Sequence, residues 1–109
     1  MSRKEYSEVE HAAIADAYVA LAAAQSAGRK VSKAEIVRNL MAFTGRTRGA
    51  IEAKFMNMSA AAVANGLLPG LPGGYVKGYK PAPNGAKALP LILVAAMYRE
   101  QARLMALAA

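Results

Sequence analysis

Arg46, Arg48, Lys54 and Asn57 are the side chains of this sequence whose types and spacing best suit recognition chemistry. A guanidinium or ammonium group neutralises a phosphate, and an asparagine amide both donates and accepts, as pairing with the edge of an adenine requires. Lys77, Tyr79 and Lys80 form a second group, in a Gly/Pro-rich stretch, that would extend the same footprint. Other chemistries find fewer residues. With one histidine, His11, and no cysteine, the chain has no ligand set for zinc and no disulfide. A Ser–His–Asp arrangement would rest on His11 alone, with nothing beside it to build an oxyanion hole. The plain reading of His11 is a surface or half-buried side chain on the first helix. Gly70, Gly73, Gly74 and Gly78 match neither a P-loop nor a dinucleotide fingerprint. The expectation is a binding module with no catalytic residues, no metal and no cofactor.

Charge points the same way. The net charge is +7, and residues 29–87 hold ten basic side chains against Glu35 and Glu52. Residues 1–28 are net acidic, with Glu5, Glu8, Glu10 and Asp16 against Arg3 and Lys4. A polyanion is the simplest partner for the basic middle segment, and solubility alone is the competing explanation. The N-terminus is charged and not followed by an apolar stretch, and the apolar run from Leu89 to Met97 is too short for a bilayer. A soluble, cytoplasmic protein that avoids the membrane is therefore expected.

The elements that must position these residues are marked by their caps. Ser7 and Glu10 have the spacing of a capping box, as do Ser32 and Glu35, and Thr47 is placed to cap a third helix. Ile14, Tyr18 and Leu21 make the first apolar stripe. Ile36, Leu40 and Phe43 make the second, and Ile51, Phe55, Met58 and Ala62 the third. Gly28, Gly45 and Asn65-Gly66 supply the stops, although Ser59 offers a place for the third helix to bend and restart. From Leu67 to Gly85 the prolines and glycines exclude regular helix. Tyr75, Val76 and Tyr79 alternate there with Lys77 and Lys80, in the manner of a short extended segment or hairpin. The two tyrosines serve either as anchors for the loop or as stacking platforms, with anchoring favoured. Pro90 suits the first turn of a last helix whose residues Leu91 to Val94 and Met97 are apolar on too many sides for exposure. That helix must lie against the bundle or against a second copy, and a homodimer is expected. The fold class is all-α, in a single domain. It has a three-helix helix–turn–helix bundle over 1–66, a Gly/Pro/Tyr loop over 67–88 and a C-terminal helix over 89–109.

In a helix–turn–helix the third helix would recognise DNA. Opposite its apolar stripe it carries Gly49, Ala53, Met56, Asn57 and Ala60, small enough in the main for close approach to a groove. The same small residues equally suit helix packing in a larger all-α fold.

The first 60 positions resemble a Myb/SANT-type three-helix domain, with Gly45-Arg46-Thr47 at the turn before the recognition helix. The tryptophans of that family are absent, and Tyr18 and Phe43 would have to fill their core positions. Residues 45–89 are similar to an N-terminal helical module of some bacterial HNH restriction-type endonucleases. Arg46, Gly49, Ile51, Glu52, Lys54, Asn57, Ser59, Gly78, Tyr79, Lys80, Pro81 and Asn84 match its motif. The resemblance implies a DNA-associated module, while the single histidine leaves no HNH metal site. The leading expectation is a DNA-binding module, acting on double-stranded DNA through the third helix. The alternative is a protein-interaction adaptor of phage or defence origin.

Overall fold

In a computed structural model that describes residues 5–87 and 89–108, four α-helices pack around one apolar core, with no strand among those residues. Arg3 and Lys4, counted in the N-terminal charge, lie outside them. Helix α1 spans Glu8–Ser26, α2 Lys33–Thr44, α3 Arg48–Asn65 and α4 Pro90–Ala108, with a single 3-10 turn at Pro72–Gly74.

The caps fix the starts. Ser7 Oγ accepts from the Glu10 N–H at 3.1 Å, and Glu10 Oε1 accepts from the Ser7 N–H at 2.9 Å, so two orphan donors are satisfied reciprocally. At α2 only the Ser32 half of the box closes, onto the Glu35 N–H. Thr47 Oγ1 accepts from the Ala50 N–H at the head of α3. That helix runs unbroken through Ser59, so the bend considered there does not occur.

The stripes of α1 and α3 point inward as expected: Ile14, Tyr18, Leu21, Ile51, Phe55, Met58 and Ala62 are all buried. The stripe of α2 is corrected. Its buried residues are Val37, Leu40 and Thr44, while Ile36 is half-buried and Phe43 is 59% exposed. Thr44 can face inward because its hydroxyl donates to the Leu40 carbonyl at 2.8 Å and accepts the Arg46 N–H at 3.2 Å. A satisfied hydroxyl is cheap to bury, which frees α2 to turn its phenylalanine outward. Of the two aromatics assigned to the Myb-like core, Tyr18 is there and Phe43 is not.

Helix α3 is the hub, in contact with α1, α2, α4 and the 3-10 turn, whereas α4 lies chiefly along α1. Leu89, Leu93 and Ala96 enter the core, and Ile92, Val94 and Met97 are half-buried. Arg99 binds Asp16 Oδ1 through Nε at 3.0 Å and an Nη at 2.8 Å, tying the two helices at their surface. Leu91 stays 83% exposed, and every residue from Gln101 to Ala108 is exposed. Among the described residues no helix is long and apolar enough to cross a membrane.

The loop from Leu67 to Lys87 is ordered by the bundle instead of by a strand partner. Leu71, Val76 and Tyr79 are buried, and the Tyr79 ring packs on Phe55 with centroids 5.0 Å apart. The Val76 N–H donates to Tyr18 Oη at 3.0 Å, the Lys77 N–H to Gln25 Oε1 at 3.0 Å, and the Ala82 N–H to the Met56 carbonyl at 3.1 Å. Donors spent on side chains of α1 and on α3 are not available to a ladder, which is why no hairpin forms.

Candidate nucleic-acid interface

Gly45 closes α2 in the left-handed region (φ 71°, ψ 15°), where a Cβ would be strained, and this turns the chain at once into α3. Arg46 follows, and it goes inward. One of its Nη atoms donates to the Glu5 carbonyl at 2.8 Å and to Glu10 Oε1 at 3.2 Å, and the two ion-paired side chains are only 9% and 10% exposed. The guanidinium lies 3.6 Å from the centroid of the Tyr6 ring. The phosphate contact expected of Arg46 is corrected on this geometry: its charge is used to clamp the N-terminal segment to the turn.

Lys54 shares that ring, with Nζ 4.4 Å from the Tyr6 centroid, and His11 stacks on it at 5.3 Å. Burial, and then Arg46, hold the Lys54 ammonium below its ordinary pKa. Burial lowers the His11 imidazole too, followed by the charges of Lys54 and Arg46, with Glu10 pulling the other way. His11 Nε2 is buried and without a hydrogen-bond partner among the described residues. Beside it opens a small cleft of about 390 Å³, lined by His11, Lys54, Asn57, Asn84 and Lys87 among others.

Only part of the small-residue face of α3 is open. Arg48, Gly49 and Ala53 are exposed, but Met56 and Asn57 are half-buried and Ala60 is buried. The covering segment is a turn at residues 82–85, closed by the Gly85 N–H on the Ala82 carbonyl at 3.1 Å. Pro83 presets its second position and Asn84 takes φ 57° at the third, as a type II turn requires. Gly85 is needed for closeness: a Cβ there would sit 2.6 Å from Asn57 Oδ1 and 3.1 Å from its Cα. Packing therefore claims Ala60 and most of Met56, while Asn57 is half-buried under the turn and keeps an edge on the small cleft.

Lys77 and Lys80 are exposed, while Tyr79 between them is 6% exposed and acts as their anchor, not as a stacking platform. Burial pushes the Tyr79 hydroxyl above its ordinary pKa, reinforced by Glu52 and opposed by Arg48. Lys33 holds the loop from α2, its Nζ donating to the Lys77 carbonyl at 2.6 Å and lying 5.6 Å from the Tyr79 centroid. A cleft of about 950 Å³ runs alongside, lined by Gln25, Arg29, Met56, Leu71, Tyr75, Lys77 and Lys80 among others.

The site residues named from sequence thus divide. Lys54 and Asn57 line the small cleft, Lys77 and Lys80 the large one, Arg48 stands exposed at the head of α3, and Arg46 and Tyr79 are internal supports. Arg29 and Lys87 were missed as site residues, and Tyr75 was weighed as an anchor or a stacking platform without being placed in the site. Each was visible as a residue type, but only the return of the loop over α3 brings it beside the others. Arg29, Lys30, Arg38, Arg48, Lys77, Lys80 and Lys87 are all exposed. None is paired with a carboxylate, since the ion pairs among the described residues are Arg46–Glu10, Arg99–Asp16 and Arg103–Glu100. Those residues also hold no group of three His, Cys, Asp or Glu that could bind a metal ion. Comparison with protein-family models, with curated proteins and with solved structures finds no match for this chain.

Proposed function

We propose that this protein is a nucleic-acid-binding module that holds DNA without catalysing a reaction on it. One observation carries the reading: the exposed cations of residues 29–87 have no acidic partners of their own among the described residues. Unpaired cations gathered on one domain favour a polyanion, whose condensed counterions are released on binding. The resemblance expected from the motif residues of 45–89 to a DNA-associated module agrees with it. In this reading Arg29, Arg48, Lys77 and Lys80 bind phosphates, and Lys54 and Asn57 contact the ligand from the smaller cleft. Arg46 and Tyr79 hold the binding groups in place. A gel shift repeated across rising salt tests it. Binding that weakens steeply with salt is expected, and no shift at low salt would refute the proposal.

A second reading has its own observation. Tyr98, Leu104, Met105 and Leu107 are exposed on α4. An apolar overhang of this kind suits a protein partner, as in an adaptor, or a second copy of the chain. Light scattering at micromolar concentration tests the homodimer: a mass of one 11.4 kDa chain excludes it.

A further inference from the structure

The larger cleft has more apolar surface than a phosphate track needs. Phosphates require cations, and this cleft adds Met56, Leu71 and Tyr75 to Arg29, Lys77 and Lys80. We infer that it receives an unpaired nucleobase, so that the preferred ligand is single-stranded nucleic acid, with the base against Tyr75 and the flanking phosphates on the three cations. The inference deepens the proposed function and rests on it.

Backbone geometry sets up the site. Val76 is fully buried and fixed by its N–H on Tyr18 Oη. Tyr75 reaches the cleft on extended backbone (φ −150°, ψ 166°), and Lys77 is the second residue of a turn closed by the Tyr79 N–H on the Val76 carbonyl at 3.2 Å. Val76 is turned inward, and its neighbours Tyr75 and Lys77 both line the cleft. The Lys77 N–H is itself held by Gln25 Oε1, so aromatic ring and cation flank a fixed point. A base and its phosphate present that same pairing of flat apolar face and adjacent anion. In a duplex the base faces are covered by their neighbours, and only a single strand or an extruded base offers one to a tyrosine. An acidic peptide would satisfy the cations and leave the apolar floor unused.

The test is fluorescence anisotropy on the full chain with four labelled probes of matched length: single-stranded DNA, duplex DNA, an abasic phosphodiester strand and poly-glutamate. The single strand is expected to bind about tenfold or more tighter than the other three, the size of one base–aromatic stack. Tyr75→Ala should reduce the single strand to the level of the abasic strand, and Tyr75→Phe should retain the preference. Should Tyr75→Ala fail to fold, the abasic comparison on the unaltered protein decides alone. Equal binding of single, duplex and abasic strands would overturn the base site and leave nucleic-acid binding standing. Poly-glutamate binding as tightly as the single strand, or no binding of any probe, would overturn both.

Discussion

The hydroxyl of Tyr18 accepts the backbone N–H of Val76 at 3.0 Å, joining residues 58 apart in sequence, and lies 2.7 Å from Ser59 Oγ. One buried oxygen on α1 thereby ties the loop to α3. Tyr18→Phe keeps the ring and removes that oxygen, leaving the Val76 N–H and the Ser59 hydroxyl buried without it. A loss of about 2 kcal/mol is expected, the cost of unsatisfied buried groups. In a domain of this size that lowers Tm by roughly 10 °C. Thermal denaturation followed by circular dichroism checks it, and an unchanged Tm would mean the loop is not anchored there.

Arg46 and Lys80 should separate stability from binding. Arg46→Met removes the cation beside the nearly buried Glu10, whose Oε1 keeps only its neutral donor, the Ser7 N–H, among the bonds described above. It should cost about 3 kcal/mol, as breaking one side of a buried pair does. Folded protein at low temperature should keep most of its affinity for DNA. Lys80→Ala, at an exposed position, should leave the melt within about 0.5 kcal/mol of the original and weaken binding instead. The opposite pattern in urea melts and binding curves would return Arg46 to the interface.

His11 gives the protein a mild acid sensitivity. Its pKa in the folded chain lies below the ordinary 6.5, through burial first and then Lys54. Above pH 6.5 both folded and unfolded chains carry it neutral and its stabilisation is complete. As pH falls below 6.5 the unfolded chain takes the proton first, so stability declines down through the folded pKa. Melting temperature should fall as pH drops through 6.5 and below, and His11→Gln should flatten that slope. A histidine NMR titration with its midpoint at or above 6.5 would contradict the assignment.

The register of α2 is tested by two substitutions. Phe43→Ser, at a residue 59% exposed, should shift stability by less than about 0.5 kcal/mol. Leu40→Ala, at 7% exposure, should cost about 2–4 kcal/mol. Equal losses would restore Phe43 to the core.

Caps and stops are local, so the helices of this chain were readable from Ser7, Ser32, Thr47, Gly28, Gly45 and Gly66. The stripes of α1 and α3 were readable for the same reason. Phe43 misled because apolar spacing cannot foresee a threonine whose hydroxyl is satisfied by its own helix. Arg46 misled because a cation beside a turn looks the same whether it meets phosphate or a buried Glu10 from a distant part of the chain. Asn57 does lie on the side of α3 away from the core stripe. That a Pro83-Asn84-Gly85 turn would settle over it depends on long-range packing, which no local signal encodes. Tyr75 could be named from sequence as a stacking candidate, but Arg29 and the cleft that brings the two together were invisible for that reason too.

The central claim is that the unpaired cations of Arg29, Arg48, Lys77 and Lys80 bind a nucleic-acid backbone. The most direct measurement is the slope of log K against log salt for single-stranded and duplex DNA, with the unaltered chain and with the four positions changed to Ala. A linear fall with salt is predicted for the unaltered chain. In the variant, with folding intact, the slope should be shallower by about 0.7 on single strands and about 0.9 on duplex for each phosphate no longer neutralised. A slope the same for both proteins, or no measurable binding at low salt, would contradict the claim.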